Sequence, residues 1–192
     1  MTTRQTKTEL KLQQALTELL PTKGLASMTV SDICRTAGIN RGTFYAHYID
    51  KYDLVDKQVE RLTDDLKRIV FAPGGDIAND HELIPQQRVL EVLRYVKDDY
   101  ALIAALIGNG TNMELRERVQ EIIGELLEQS ARRHGLTLSY GGVPADYGRA
   151  MVLSGITSVI WLWIKKGCVE PPEEISRIVW TNKSCSPQEL LE

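Results

Sequence analysis

The sequence predicts an all-α protein, with an N-terminal three-helix helix-turn-helix unit followed by a larger antiparallel helical domain. Three observations predict it. Apolar residues recur at helical spacing through most of the chain, and no segment alternates as a half-buried strand would. Aromatics make up only 6% of the residues, and Gly and Pro are too few to punctuate many short strands. A hydrophobic share of 43% in 192 residues is enough to bury a substantial core.

The elements follow in order. A first helix is expected from Thr6 to Leu20, with Leu12, Ala15, Leu16, Leu19 and Leu20 on one face, ended by Pro21 and Gly24. Thr29 with Asp32 three residues on makes a capping box for a short second helix that buries Val30, Ile33 and Ala37. Gly38 stops that helix, because glycine alone takes the left-handed turn without steric cost. Asn40 caps a nine-residue third helix over Asn40–Tyr48 that carries Phe44 and Tyr48, and Asp50 caps a fourth from Lys51 to Phe71. Residues 72–85 read as a turn-rich linker. Further helices are expected at Gln86–Tyr95, Asp98–Gly108, Met113–His134, Pro144–Lys166 and Pro172–Trp180. This gives a first domain over 1–51, a second over 52–180 joined by helix 51–71, and a tail over 181–192.

The short paired helices carry the chemistry. With Ile33, Ala37, Ile39 and Phe44 inside and Gly38 at the turn, the next helix presents Arg41, Gly42, Thr43, Tyr45 and His47 outward. Arg41 can fork onto a guanine or a phosphate, and Thr43 offers a hydroxyl and a methyl for base edges. Gly42 leaves room at the helix start for a close approach to the groove. Tyr45, His47 and Tyr48, with Thr29 and Ser31 at the preceding helix end, can donate to phosphate oxygens. Lys51 adds a candidate charge-assisted phosphate contact. The expected partner is therefore double-stranded DNA. Net charge is −3, yet residues 1–51 hold seven basic and four acidic side chains, leaving −6 for the remainder. A basic head on an acidic body is the asymmetry expected when one end meets phosphate.

The run TVSDICRTAGINRGTFYAHYIDKYDL, with LQQALTELLPTKGLASM before it, resembles the DNA-binding signature of the tetracycline-repressor (TetR/AcrR) family. The agreement covers Thr29, Val30, Ile33, Ala37, Gly38, Ile39, Gly42, Thr43, Tyr45, Tyr48, Lys51 and Leu54. Further on, Trp161–Leu162, Gly167 and the helix start after Pro171 are similar to members that resemble dihydroxyacetone-kinase regulators. The resemblance implies an all-α homodimer with a small reader and a C-terminal domain for ligand binding and dimerisation, acting as a repressor.

Competing readings are weaker. An exposed aromatic helix face could be ordinary solvated surface, but so short a helix is marginal alone and its aromatics suit a contact surface. A helix-turn-helix used only for protein assembly would not need the basic head. No GxSxG, Gly-rich phosphate loop, HExxH or plausible carboxylate pair marks an enzyme, so no catalytic residue is expected. The three His (His47, His81, His134) and three Cys (Cys34, Cys168, Cys185) lack metal-ligand spacing, so no metal or cofactor is expected, and Cys34 reads as a small core residue. The polar N-terminus and odd cysteine count give the expectation of a cytoplasmic protein. The apolar run Ala150–Ile164, at 15 residues, falls short of the roughly 20 that cross a bilayer. Helices 144–166 and 172–180 are expected to pack on their symmetry mates. Tyr95, Tyr100, Met113, Ile123, Met151 and Trp161 are candidate contacts for a small apolar effector, weighed against simple core packing.

Overall fold

A computed structural model describes residues 7–72, 86–108, 112–133, 135 and 137–181, with the backbone alone for 112–114 and 181. The helices are α1 (Lys7–Ser27), α2 (Val30–Ala37), α3 (Arg41–Tyr45), α4 (Lys51–Val70), α5 (Gln86–Asp98), α6 (Tyr100–Gly108), α7 (Asn112–Arg133), α8 (Ala145–Lys165) and α9 (Pro172–Thr181). Among the described residues there is no strand. The all-α class expected from helical periodicity is what the chain adopts. His81, Cys185, His134 and most of the 72–85 linker and 181–192 tail lie outside the described residues.

α5 runs three residues past its expected end and α6 starts two residues later, and two elements differ more. α1 continues past Pro21 and breaks at Gly24, whose φ of 70° and ψ of 157° only glycine holds cheaply. Proline removes one donor, and the Thr22 hydroxyl donates to the carbonyls of Glu18 (2.9 Å) and Leu19 (3.2 Å) beside it. α3 is five residues long, not the nine expected. Its C-terminal end tightens as the His47 and Tyr48 amides both donate to the Phe44 carbonyl at 3.0 Å. That turn carries Tyr48 into the core, where it is 5% exposed.

The chain divides into two compact units. The first comprises Met1–Asp64 and Ala101–Leu115, and the second Asp65–Tyr100 and Arg116–Glu192. The division falls inside α4, past the boundary expected at residue 51, because Leu54, Val55, Val59 and Leu62 are buried like the core residues of α1. Leu12, Leu16, Leu20, Met28, Ile33 and Phe44 fill the first unit, each with almost no exposure. Burial of side chains this size contributes roughly 1.5–3 kcal/mol apiece before ordering costs.

In the second unit Leu127 and Leu153 are buried, with Val89, Ile123, Leu126, Leu138 and Ile156 packed on them. Trp163 is 1% exposed, and its indole N–H donates to the Glu170 carbonyl at 3.1 Å, closing the turn from α8 to α9. Arg88, also buried, donates from Nη1 to the Ile69 carbonyl (3.2 Å) and from Nη2 to the Ala72 carbonyl, satisfying the end of α4. α8 spans 21 residues, because Ala145–Arg149 and Lys165 extend the apolar run. By length and composition alone it could cross a bilayer, so the length argument drawn from 15 residues does not carry to the helix. One side of α8 (Leu153, Thr157, Trp161, Ile164) is core. The opposite side shows Tyr147, Met151 and Leu162 at 70%, 68% and 58% exposure.

Candidate nucleic-acid interface

Local capping builds the reading unit. The Thr29 hydroxyl accepts from the Asp32 amide at 3.1 Å, while the Asp32 carboxylate accepts from the Thr29 amide (3.1 Å) and hydroxyl (2.8 Å). This is the capping box expected at the start of α2. Lys23 (2.9 Å) and Arg35 (2.6 Å) also meet that carboxylate, which is itself 11% exposed. The hydrogen bond from Lys23, then those from Thr29, hold Asp32 well below the usual carboxylate range. At the other end Gly38 sits at φ 61°, ψ 44°, and the Ile39 amide donates to the Cys34 carbonyl at 3.0 Å.

α3 starts from Asn40, whose Oδ1 accepts from the Thr43 amide (2.7 Å) and hydroxyl (3.1 Å). A Cβ at position 42 would stand 3.2 Å from that same oxygen. Glycine there keeps the cap unstrained as well as leaving the outer face open. Arg41 Nη2 donates to the Ser31 hydroxyl at 2.7 Å, joining the starts of α2 and α3 through two exposed side chains. Tyr45 is 55% exposed, its ring edge-on to buried Phe44 at 5.4 Å. His47 is exposed.

The structure thus groups Ser31, Arg41, Gly42, Tyr45 and His47 as exposed residues of one small unit, with Thr43 half-buried beside them. Three expected contacts sit differently. Thr29 is exposed but uses its hydroxyl and amide within the capping box. Tyr48, expected to donate to a phosphate, is corrected to a core position, its ring 5.7 Å from Phe44 and its hydroxyl pushed up by burial. Lys51, expected at a phosphate, donates from Nζ to the carbonyls of Ala26 and Met28, each at 2.9 Å.

Sequence reasoning missed Ile49 and Tyr52, exposed at 80% and 51% just beyond α3. It also missed Lys57, whose ammonium donates to the His47 carbonyl at 3.1 Å and lies 5.1 Å from the Tyr48 ring centre. The Asp53–Lys57 spacing was visible, but the carbonyl that completes the arrangement belongs to a turn that no pattern announces.

The candidate effector contacts have separate partners. The Tyr95 hydroxyl donates to Asp65 at 3.1 Å, and Ile123 packs on the Leu127–Leu153 cluster. Tyr100 is half-buried, its hydroxyl 3.8 Å from where a Cβ at Gly167 would stand. Trp161 is 8% exposed under the Arg116 guanidinium, and its indole N–H is buried without an acceptor among the described residues. Met151, expected at a cavity wall, is corrected to an exposed position because it lies on the outer side of α8. The Met113 side chain lies outside the described residues. Cys34 and Cys168 are buried free thiols, Cys168 pushed up by burial to about 11. Among the described residues no three His, Cys, Asp or Glu gather as a metal site.

Comparison with known proteins fits this geometry. Residues 13–57 match the profile of the tetR family of bacterial regulatory proteins, and residues 85–181 match a transcriptional regulator C-terminal region. The HTH-type transcriptional regulator YxbF of Bacillus subtilis (strain 168) is 20% identical over 173 residues, covering 90% of this chain and 43% of that protein. The chain therefore spans less than half the length of that relative. Among solved structures, a TetR-family transcriptional regulator from Syntrophomonas wolfei is similar with a TM-score of 0.63 and 16% identity, covering 92% of this chain and 93% of that one. The fatty acid degradation regulator FadR from Bacillus halodurans gives 0.61 at 15% identity, over 96% and 98% of the two chains. The dihydroxyacetone kinase operon activator DhaS gives 0.54 at 16%, over 91% and 92%. At such identities the likeness shows the fold.

Proposed function

Because the chain belongs to the TetR family of bacterial helix-turn-helix transcriptional regulators, we propose that it acts as a homodimeric repressor on a palindromic operator. The observation that carries the DNA-reading part is the pairing of Arg41 with Ser31 at the capped starts of α3 and α2, beside exposed Gly42, Tyr45 and His47. A guanidinium held by a neighbouring hydroxyl is oriented before DNA arrives, so less rotamer freedom is lost on binding. Arg41, Thr43 and Tyr45 read base edges, while Ser31 and His47 meet phosphate. Thr29 through its capping box, Tyr48 from the core and Lys51 through the α1–α2 turn hold the face in place.

The exposed stripe of α8 supports the dimer. Tyr147, Met151, Ser154, Ser158 and Leu162 recur at helical spacing on one exposed side, and Ile178 of α9 is 40% exposed. A second copy of this chain, packing α8 and α9 on their mates, covers that side. Two reading helices then stand about one DNA turn apart, roughly 34–36 Å. A small apolar effector in the C-terminal unit, with the unpaired Trp161 indole N–H as its polar contact, shifts that spacing by favouring one dimer arrangement.

Selection of duplexes from a randomised pool, followed by gel shifts across salt, tests the reading. The expected result is a half-site repeat whose binding weakens steeply with salt. Arg41→Ala or Tyr45→Ala should cost roughly 1–3 kcal/mol on the selected duplex with folding intact. Failure to enrich any duplex, or affinity unchanged in both variants, would overturn it. A promoter carrying the selected duplex, fused to a reporter, should be silenced by the protein. Increased reporter output would make it an activator.

A further inference from the structure

We propose that the first two turns of α4 clamp both flanks of the helix-turn-helix, with Lys51 and Lys57 as positioning residues rather than phosphate contacts. The Lys51 ammonium donates to the carbonyls of Ala26 and Met28, which bracket the turn leading from α1 into α2. Lys57, further along the same helix, donates to the carbonyl of His47 just after α3. Between them Asp53 accepts from the Ile49 amide at 2.8 Å and from Lys57 at 3.2 Å. Each flank of the reading unit is thus tied to α4 by a charge-assisted bond to backbone, the stronger kind of hydrogen bond.

The chemistry argues against a phosphate role for these ammoniums. Lys51 is half-buried with two carbonyls already on it, and 5.0 Å from the Tyr52 ring centre. Moving it to a phosphate would take the donor from the part-buried Met28 carbonyl and leave the exposed Ala26 carbonyl to water. Lys57 is held between a carbonyl, a carboxylate and the Tyr48 ring. Backbone acceptors also explain why two lysines can set the placement of a helix as short as α3. They grip the chain itself at its entry and exit, so a change in α4 is passed to the recognition helix whatever side chains it displays. The consequence for DNA rests on the reader proposed above; the clamp itself does not.

The test uses the full-length protein with Lys51→Met, Lys57→Met and Lys51→Arg. Hydrogen exchange of the free protein should quicken several-fold at the amides of Met28, Asp32 and Ile33 in K51M, and of Tyr48 and Ile49 in K57M. K51R, which can still donate to both carbonyls, should restore protection. On a duplex selected by the wild type, measured well below the unfolding temperature, K51M should bind about tenfold or more weaker. Its affinity for a scrambled duplex should be unchanged, and so should its salt slope on the selected one. A slope reduced by about one unit per protomer, with both duplexes weakened alike, would make Lys51 a phosphate contact and overturn the proposal. Unchanged exchange in both Met variants would overturn it too. Should the wild type enrich no duplex, the regulator reading fails while the exchange measurements still decide the clamp.

Discussion

Nothing lies within 4 Å of where a Cβ at Gly38 would stand, so its φ of 61° is the whole cost of any side chain there. Gly38→Ala should therefore lower stability by about 1–2 kcal/mol, read from denaturant midpoints by circular dichroism, without altering the fold. Asp32 makes a prediction of another kind. Its carboxyl is depressed first by the Lys23 hydrogen bond, then by the Thr29 hydroxyl and amide. A depressed native pKa stabilises fully above the unfolded value of about 3.9, and the contribution drains as pH falls below it toward the native value. Asp53, lowered chiefly by the Ile49 amide, has the same sign. The first unit should lose stability on acidification below about pH 4, and Asp32→Asn should flatten that dependence. An equally steep profile in the variant would mean the ion cluster contributes nothing. These sites were legible in the sequence because caps are local: Thr29, Asp32, Gly38 and Asn40 each act within three or four residues. Lys51 was not, since its acceptors are carbonyls 23 and 25 residues away and carry no side-chain signature.

Between helices, two glycines of the second unit separate hard contacts from soft ones. A Cβ at Gly148 of α8 would come within 2.2 Å of Tyr140 Cγ and 2.3 Å of its Cβ, atoms near the backbone that cannot swing away. At Gly124 of α7 the close atom is the Arg149 guanidinium at 2.2 Å, the far end of a flexible side chain. Gly148→Ala should thus destabilise by roughly 1–3 kcal/mol and Gly124→Ala far less. Adding Tyr140→Gly, which removes both of those atoms, should recover part of the Gly148→Ala loss, and a double-mutant cycle checks it. The same contrast explains which helix ends the sequence revealed. Ends set by a cap were placed to within a residue or two. The end of α1 was misjudged, because whether a proline stops a helix depends on how the neighbouring carbonyls are satisfied. α3 came out shorter because Tyr48 turns into the core, a tertiary demand that overrides the local pattern.

For the molecule as a whole, the proposed dimer rests on the exposed side of α8. Met151→Asp with Leu162→Asp places charge on two positions that are exposed in the single chain, so the monomer fold should survive while the proposed dimer does not. Light scattering should then give a 21.6 kDa particle, and affinity for a two-half-site duplex should collapse toward that for one half-site. A variant that stays dimeric would place the interface elsewhere. The division of the chain inside α4 was the least legible feature, since the apolar stripe of that helix runs unbroken from Leu54 to Val70 and periodicity does not say which unit each part serves. The tryptophans are unevenly divided between the two units. All three tryptophans, Trp161, Trp163 and Trp180, belong to the second unit. The aromatic residues of the first unit are Phe44, Tyr45, Tyr48 and Tyr52. Indole fluorescence of an unlabelled sample therefore follows the melting of the second unit through residues of its own.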